Sequence, residues 1–88
     1  MNMTDHEFEV LDELYFIQSF PNLIKLIDLS ETQLKLVLLD LLEKEWIKCC
    51  LPADQEIPFN RAKFDRDFQN YYYIATKAGL LAHNGKAG

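Results

Sequence analysis

Residues 30–49 read SETQLKLVLLDLLEKEWIKC and carry the clearest structural signals in the chain. Ser30 is a good N-cap residue, and Gln33 three positions later completes a capping-box pattern. The leucines that follow at helical spacing are Leu34, Leu38, Leu41 and Leu42. This spacing predicts a helix that continues to about Glu45 or Trp46 and packs its leucines into a core.

The far side of this helix carries a different set of side chains. At about 100° per residue, they are Lys35, Leu36, Leu39, Asp40 and Glu43. Two exposed leucines three positions apart would form an apolar ridge of the kind that marks interfaces. We therefore predict a protein interface that includes Leu36, Leu39 and Glu43. The alternative is that the first helix, or the Phe-containing connection of residues 53–70, covers both leucines within one chain.

Two shorter helical signals precede residue 30. Thr4 or Asp5 can cap a first helix, whose apolar residues recur at spacings of three and four as far as about Ser19. Pro21 suits the first turn of a second helix over residues 21–29.

A long connection separates two β-like segments. Residues 47–51 favour a strand, which Pro52 ends. Residues 53–70 are polar and mixed in charge, and we interpret them as a hairpin connection that is partly strand. The alternation of Phe64 and Phe68 with acidic residues favours strand near its end.

The C-terminal part closes the hairpin. Residues 71–75 are rich in β-favouring aromatics and predict the return strand. Thr76 can cap a short helical turn over residues 77–83, and we expect residues 84–88 to fray. The predicted class is α+β, with three helices, a β-hairpin and a short C-terminal helical turn.

The length and the charge of the chain limit the functions that it could have. The chain has 88 residues, of which 49% are hydrophobic and 26% charged, so we expect one globular domain over residues 1–88. The formal net charge of −5 is concentrated in residues 1–20, which contain five acidic residues and no Lys or Arg. The remainder is close to neutral, which is a poor match to nucleic acid.

Signals for membrane insertion or export do not occur. Apolar runs such as residues 36–39 are far shorter than the roughly 20 residues that span a bilayer. Residues 1–13 are acidic and lack the basic and apolar regions of a signal peptide. We expect a cytoplasmic protein without membrane contact.

The sequence contains no pattern of catalytic residues. His6 and His83 have no nucleophile motif beside them, and no phosphate-binding loop or metalloprotease motif occurs. Cys49 and Cys50 are adjacent, so a disulfide between them would be strained, and no zinc-ligand spacing is present. We expect no catalysis, no cofactor and no bound metal.

Residues 30–49, with LEKEWI at positions 42–47, resemble the recognition helix and first wing strand of MarR-like and PadR-like winged-helix regulators. Residues 73–80, YIATKAGL, are similar to the closing strand of those proteins. The resemblance implies a winged helix, in which three helices precede a β-hairpin wing. It departs at Glu45, where the family frequently has Gly, so a different geometry is expected at the end of the helix.

The resemblance also implies a DNA-binding regulator that acts as a dimer. The residues that would then contact DNA are Thr32, Gln33 and Lys35 on the helix and Arg61, Lys63 and Arg66 in the wing. The alternative for the three wing residues is a solvated hairpin balanced by Asp65 and Asp67. Because leucines and acids occupy the far side of the helix, we favour a protein partner or a second copy of the chain over DNA.

Overall fold

The computed structural model describes residues 3–87, and within them the chain forms five helices and a four-stranded sheet. The helices are α1 (Asp5–Glu13), α2 (Phe20–Leu26), α3 (Glu31–Glu43), α4 (Arg61–Asp67) and α5 (Lys77–Ala87). The strands are β1 (Gln18–Ser19), β2 (Ile47–Cys50), β3 (Glu56–Ile57) and β4 (Tyr72–Ala75), and a 3₁₀ turn (Phe68–Asn70) joins α4 to β4. The α+β class is confirmed. The single domain over residues 1–88 stays a prediction, and residues 1, 2 and 88 lie outside the described part.

Two complete capping boxes fix the starts of the longer N-terminal helices. The Thr4 hydroxyl accepts from the Glu7 amide at 3.0 Å, and the Glu7 carboxylate accepts from the Thr4 amide at 2.9 Å. Ser30 and Gln33 make the same reciprocal pair at 3.1 and 3.0 Å. Each box satisfies amides that a helix N-terminus would otherwise leave unpaired, so both starts predicted from the sequence are confirmed.

The sheet is antiparallel throughout, with strand order β1-β4-β2-β3. β4 therefore lies between the strand that follows α1 and the strand that follows α3. Cys49 of β2 is opposite Tyr73 of β4, and Tyr73 is in turn opposite Gln18 of β1. The two strands expected from the sequence, β2 and β4, do pair, although β3 and α4 lie between them along the chain.

The core lies where the helices pack against this sheet. The leucine ladder of α3 is buried, with Leu34, Leu38 and Leu41 fully inaccessible to solvent. Tyr73 is also inaccessible, and its hydroxyl donates to the Phe68 carbonyl at 2.7 Å. Burial raises the pKa of Tyr73, so the phenol stays protonated and keeps this hydrogen bond.

Helix α1 is shorter than predicted, because the segment after it is drawn into the sheet. The helix ends at Glu13 rather than near Ser19, and Gln18 and Ser19 form β1. The Leu14 carbonyl accepts from the Ala75 amide at 2.9 Å, at the end of β4. Pairing with a strand more than fifty residues away overrides the local helical pattern.

The connection between β2 and β4 contains a helix where strand was expected. Residues 61–67 form α4, and the Asn60 side chain caps it by accepting from the Lys63 amide at 3.0 Å. Phe64 and Phe68 are four positions apart, so a helix places both on one face, with ring centroids 5.8 Å apart. The strand expected around Phe64 and Phe68 was wrong, because the same spacing also fits period-two alternation, whereas β3 confirms that the connection is partly strand.

Helix α5 is longer than the short turn expected at the C-terminus. It extends from Lys77 to Ala87, so the expected fraying of residues 84–87 was wrong, and Gly88 lies outside the described residues. The His83 ring stacks on Phe8 of α1 at 4.1 Å, and its Nδ1 lies 2.8 Å from the Tyr15 hydroxyl. These contacts with the N-terminal part of the chain stabilise the last turns of α5.

Within residues 3–87, no helix has the length and apolar content needed to cross a bilayer.

A close backbone contact joins the turn after α3 to the start of α5. Glu45 adopts φ 62°, a left-handed conformation that favours glycine, so this position keeps the geometry that glycine would supply. The Thr76 hydroxyl donates to the Glu45 carbonyl at 2.7 Å, and the Thr76 amide donates to the Trp46 carbonyl at 2.9 Å. A Cβ atom on Gly79 would lie 2.0 Å from the Trp46 carbonyl oxygen. Only glycine fits at position 79.

Replacement of Gly79 by alanine should therefore destabilise the protein by about 3 kcal/mol or more, because the new methyl group collides with backbone that cannot move independently. Urea unfolding followed by circular dichroism measures the change. Gly85→Ala is the matched control, since nothing lies within 4 Å of its Cβ position on the same helix. The control should be neutral or more stable than wild type. Equal stabilities for the two variants would contradict this packing.

Candidate functional site

The exposed side of α3 is a narrow strip. Its members are Thr32, Gln33, Leu36, Asp40 and Glu43, all of which are exposed. Leu36 is 55% exposed at the centre of the strip, as the sequence predicts. We call these five residues the outer strip of α3. Their arrangement places one large apolar side chain among polar and acidic neighbours.

Leu39 does not belong to this strip, and the prediction that it is exposed was wrong. It is 6% exposed and joins the core cluster that also contains Phe64 of α4. Lys35, one turn earlier on the same side of α3, contacts the connection between β2 and β4. That connection covers the flank, so the buried arc of α3 extends over roughly 200°. Of the two alternatives for Leu39, coverage within one chain is the one observed.

Lys35 points away from the outer strip. Its ammonium group lies 3.5 Å from the Asp65 carboxylate and 5.0 Å from the centroid of the Phe68 ring. Glu31, in the first turn of α3, accepts a hydrogen bond from Gln69 at 2.9 Å. The N-terminal half of α3 is thus tied to α4 and the 3₁₀ turn. Lys35 is part of this contact between elements. It is therefore not the exposed cation that was expected beside Thr32 and Gln33.

Lys44, at the C-terminal end of α3, is also engaged within the chain. It donates to the Glu7 carboxylate at 2.6 Å and lies 4.7 Å from the centroid of the Trp46 ring. Glu7 is 2% exposed. Burial raises the pKa of Glu7, but the hydrogen bonds from Lys44 and Thr4 and the Lys44 charge outweigh it, so the pKa is lowered overall. The pair keeps its charge and joins α1 to α3.

Asp40 and Glu43 differ from these paired residues. Within residues 3–87, no Lys, Arg or His nitrogen lies within 4 Å of either carboxylate, and both are exposed. The outer strip therefore carries two unneutralised negative charges, one and two helical turns after Leu36. Such a surface repels phosphate and attracts cations.

The three basic residues expected in a wing lie on α4. Arg61 is 3.5 Å from Asp65, and Arg66 is 3.1 Å from Asp67, so these two guanidinium groups are balanced by neighbouring acids. Lys63 has no carboxylate partner within 4 Å in the described part of the chain. The structure brings Lys63 and Arg66 together at the mouth of one cleft, but Arg61 does not line it.

The other chemically reactive side chains are dispersed. Cys49 and Cys50 are buried free thiols on β2, and burial raises the pKa of both. Among residues 3–87, no group of three or more His, Cys, Asp or Glu side chains is placed to hold a metal ion. The described surface offers exposed apolar and charged side chains, which are suited to binding.

The ion pairs of Lys44 with Glu7 and of Lys35 with Asp65 were not predicted from the sequence. Both join residues that are about thirty or more positions apart. No local pattern in the sequence signals such pairs.

Comparison of the chain with protein-family models, with curated proteins and with solved structures found no significant match.

The Glu7–Lys44 pair predicts a pH-dependent contribution to stability. Because the folded-state pKa of Glu7 is lowered, the contribution is present above the unfolded pKa of about 4.5 and is lost as pH falls through the folded pKa. Glu7→Gln keeps a side chain suited to the capping box but removes the charge. It should cost about 1–3 kcal/mol at neutral pH and much less near pH 3. Urea unfolding of both proteins across this range measures the difference.

Glu9→Gln is the control, because Glu9 is an exposed residue of the same helix. It should shift stability little at either pH. A cost for Glu7→Gln that stays constant down to pH 3 would show that the buried pair is not the source of the effect.

Proposed function

We propose that this chain is a non-catalytic winged-helix domain that binds another protein through the outer strip of α3. The observation that carries the proposal is Leu36, an exposed leucine beside the unpaired carboxylates of Asp40 and Glu43. An exposed apolar anchor with a charged rim is typical of a protein-binding surface.

The arrangement of elements supports the winged-helix part of the proposal. Three helices precede β2, and β4 returns antiparallel beside it. The left-handed residue at Glu45 supplies the turn geometry for which the resembled regulators use glycine. The helix and the short strand β3 between β2 and β4 would then be an elaboration of the wing.

The charges favour a protein over DNA as the ligand of α3. A helix that reads a major groove presents cationic or amide side chains to phosphates and base edges. Here the two lysines at positions 35 and 44 are held by Asp65 and Glu7. What remains outward is one leucine and two carboxylates. Electrostatic repulsion from phosphate opposes close approach of this strip to a duplex.

The same charges specify the partner. A surface with an apolar pocket and basic residues around it would bury Leu36 and pair with Asp40 and Glu43. Full burial of a leucine contributes roughly 1.5–3 kcal/mol, so the carboxylates must add specificity or affinity for stable binding. A second copy of α3 offers no unpaired lysine to these carboxylates. We therefore assign the strip to a basic partner, and the homodimer expected from the sequence becomes an outcome of the test.

The test uses a helical peptide with leucines on one face and lysines flanking that face, titrated into ¹⁵N-labelled protein. Amide shifts should change mainly over residues 32–43. Leu36→Ser, and separately Asp40→Asn with Glu43→Gln, should each weaken binding about tenfold or more, because each removes a contact of roughly 1.4 kcal/mol or more. A matched peptide with glutamates in place of lysines should not bind.

Control variants distinguish binding at the outer strip from nonspecific binding to other exposed apolar or acidic side chains. Leu81→Ser removes a leucine that is 62% exposed on α5, and Asp28→Asn with Asp54→Asn removes two exposed acids elsewhere. Both should bind the lysine peptide like wild type, with unchanged circular dichroism. Equal losses in the Leu36 and Leu81 variants would refute the assignment. A wild-type dimer in sedimentation velocity that Leu36→Ser dissociates would assign the strip to a second copy instead of a basic partner.

A further inference from the structure

A cleft of about 440 Å³ opens between the end of β2, the segment before α4 and α4 itself. Its apolar wall includes Leu51, Ile57, Pro58 and Phe59. Leu51 and Phe59 are 45% and 38% exposed, although both are large hydrophobic side chains. The volume falls within the range of small-molecule sites, and exposed apolar walls gain free energy when a ligand covers them.

Two cationic side chains, Lys63 and Arg66, line this cleft where it opens to solvent. Lys63 and Arg66 are three positions apart on α4, and so lie on one face of the helix. Lys63 has no carboxylate partner among residues 3–87. Arg66 directs Nε and Nη2 to a single oxygen of Asp67, at 3.2 and 3.1 Å, which leaves Nη1 unused. With Asp67 counted, the mouth has a surplus of one positive charge.

Tyr71 supplies a third donor. It lines the cleft, and its hydroxyl is open to solvent and makes no hydrogen bond to the described residues. Burial and then the Asp67 carboxylate raise the pKa of Tyr71, so the hydroxyl stays protonated and able to donate. A solvent-accessible hydroxyl in a cleft is available to donate to a ligand that enters it.

We propose that this cleft binds a monocarboxylate with an apolar tail. The tail would cover the wall formed by Leu51, Ile57 and Phe59, and the carboxylate would accept from Lys63, Arg66 and the Tyr71 hydroxyl. A carboxylate has two oxygens and can accept several such hydrogen bonds, and one negative charge matches the surplus at the mouth. The site is separate from the outer strip of α3 and does not depend on that proposal.

The carboxylate could come from a free aliphatic acid or from the C-terminus of a polypeptide. Both offer the same chemistry to the cleft, and the titration distinguishes them. The probes are octanoate below its micellar concentration and a short peptide that ends in leucine, with its C-terminus either free or amidated. Octanol and acetate serve as tail-only and charge-only controls.

Isothermal titration calorimetry with the full chain should show saturable octanoate binding at one site, with octanol and acetate much weaker. Lys63→Gln with Arg66→Gln should weaken octanoate binding at least about tenfold, because hydrogen bonds to charged groups are lost. Tyr71→Phe should weaken it less, with the fold retained in circular dichroism. Lys25→Gln with Lys77→Gln is the charge-matched control, since both lysines are exposed and neither lines the cleft; it should bind like wild type.

Tighter binding of the free peptide than of octanoate, abolished by amidation, would identify a polypeptide C-terminus as the source of the carboxylate. Tighter binding of octanoate would identify a free acid. Equal affinities for octanoate and octanol, or equal losses in the cleft and control variants, would overturn the proposal. So would absence of saturable binding by both carboxylate probes.

Discussion

Pairing of β4 with two other strands is the constraint on which the rest of the structure depends. This four-residue strand lies between β1 and β2, and so joins the segment after α1 to the segment after α3. Its Tyr73 is inaccessible to solvent, and its Ala75 amide donates to the carbonyl of Leu14, the residue that follows α1. The next residue, Thr76, bonds both carbonyls of the turn after α3. Loss of β4 would therefore remove the contacts that hold the end of α1 and the turn after α3 against the sheet.

The same strand determines which surfaces of α3 are available. Because the Tyr73 hydroxyl bonds the Phe68 carbonyl, the 3₁₀ turn before β4 is held close to the core. Phe68 then lies beneath Lys35, and Asp65 reaches the same ammonium group. One flank of α3 is covered as a result, Leu39 is buried, and the helix keeps only its outer strip. The surface left for a partner thus follows from how the connection between β2 and β4 folds back.

Much of this architecture could be predicted from local patterns, and the errors have physical causes. The start of α3, its leucine ladder and the strands around Ile47 and Tyr73 follow from capping, spacing and β propensity. β1 could not be predicted, because two residues form a strand only through their partner in β4. Helix α4 was missed because Phe64 and Phe68 fit both periods. The burial of Leu39 in one cluster with Phe64 depends on that helix, so it could not be predicted from local patterns in the sequence.

Residues of the same charge have different environments in this structure. Lysines at positions 35 and 44 stabilise contacts within the chain, whereas Lys63 has no acidic partner in the described part and faces a cleft. Acids at positions 40 and 43 remain unpaired on α3.

We propose that α3 binds protein rather than DNA, and a fluorescence-anisotropy titration of mixed-sequence duplex at low salt tests this proposal most directly. We expect no sub-micromolar binding. Sub-micromolar affinity with a steep salt dependence would contradict the claim, because such a slope requires several neutralised phosphates.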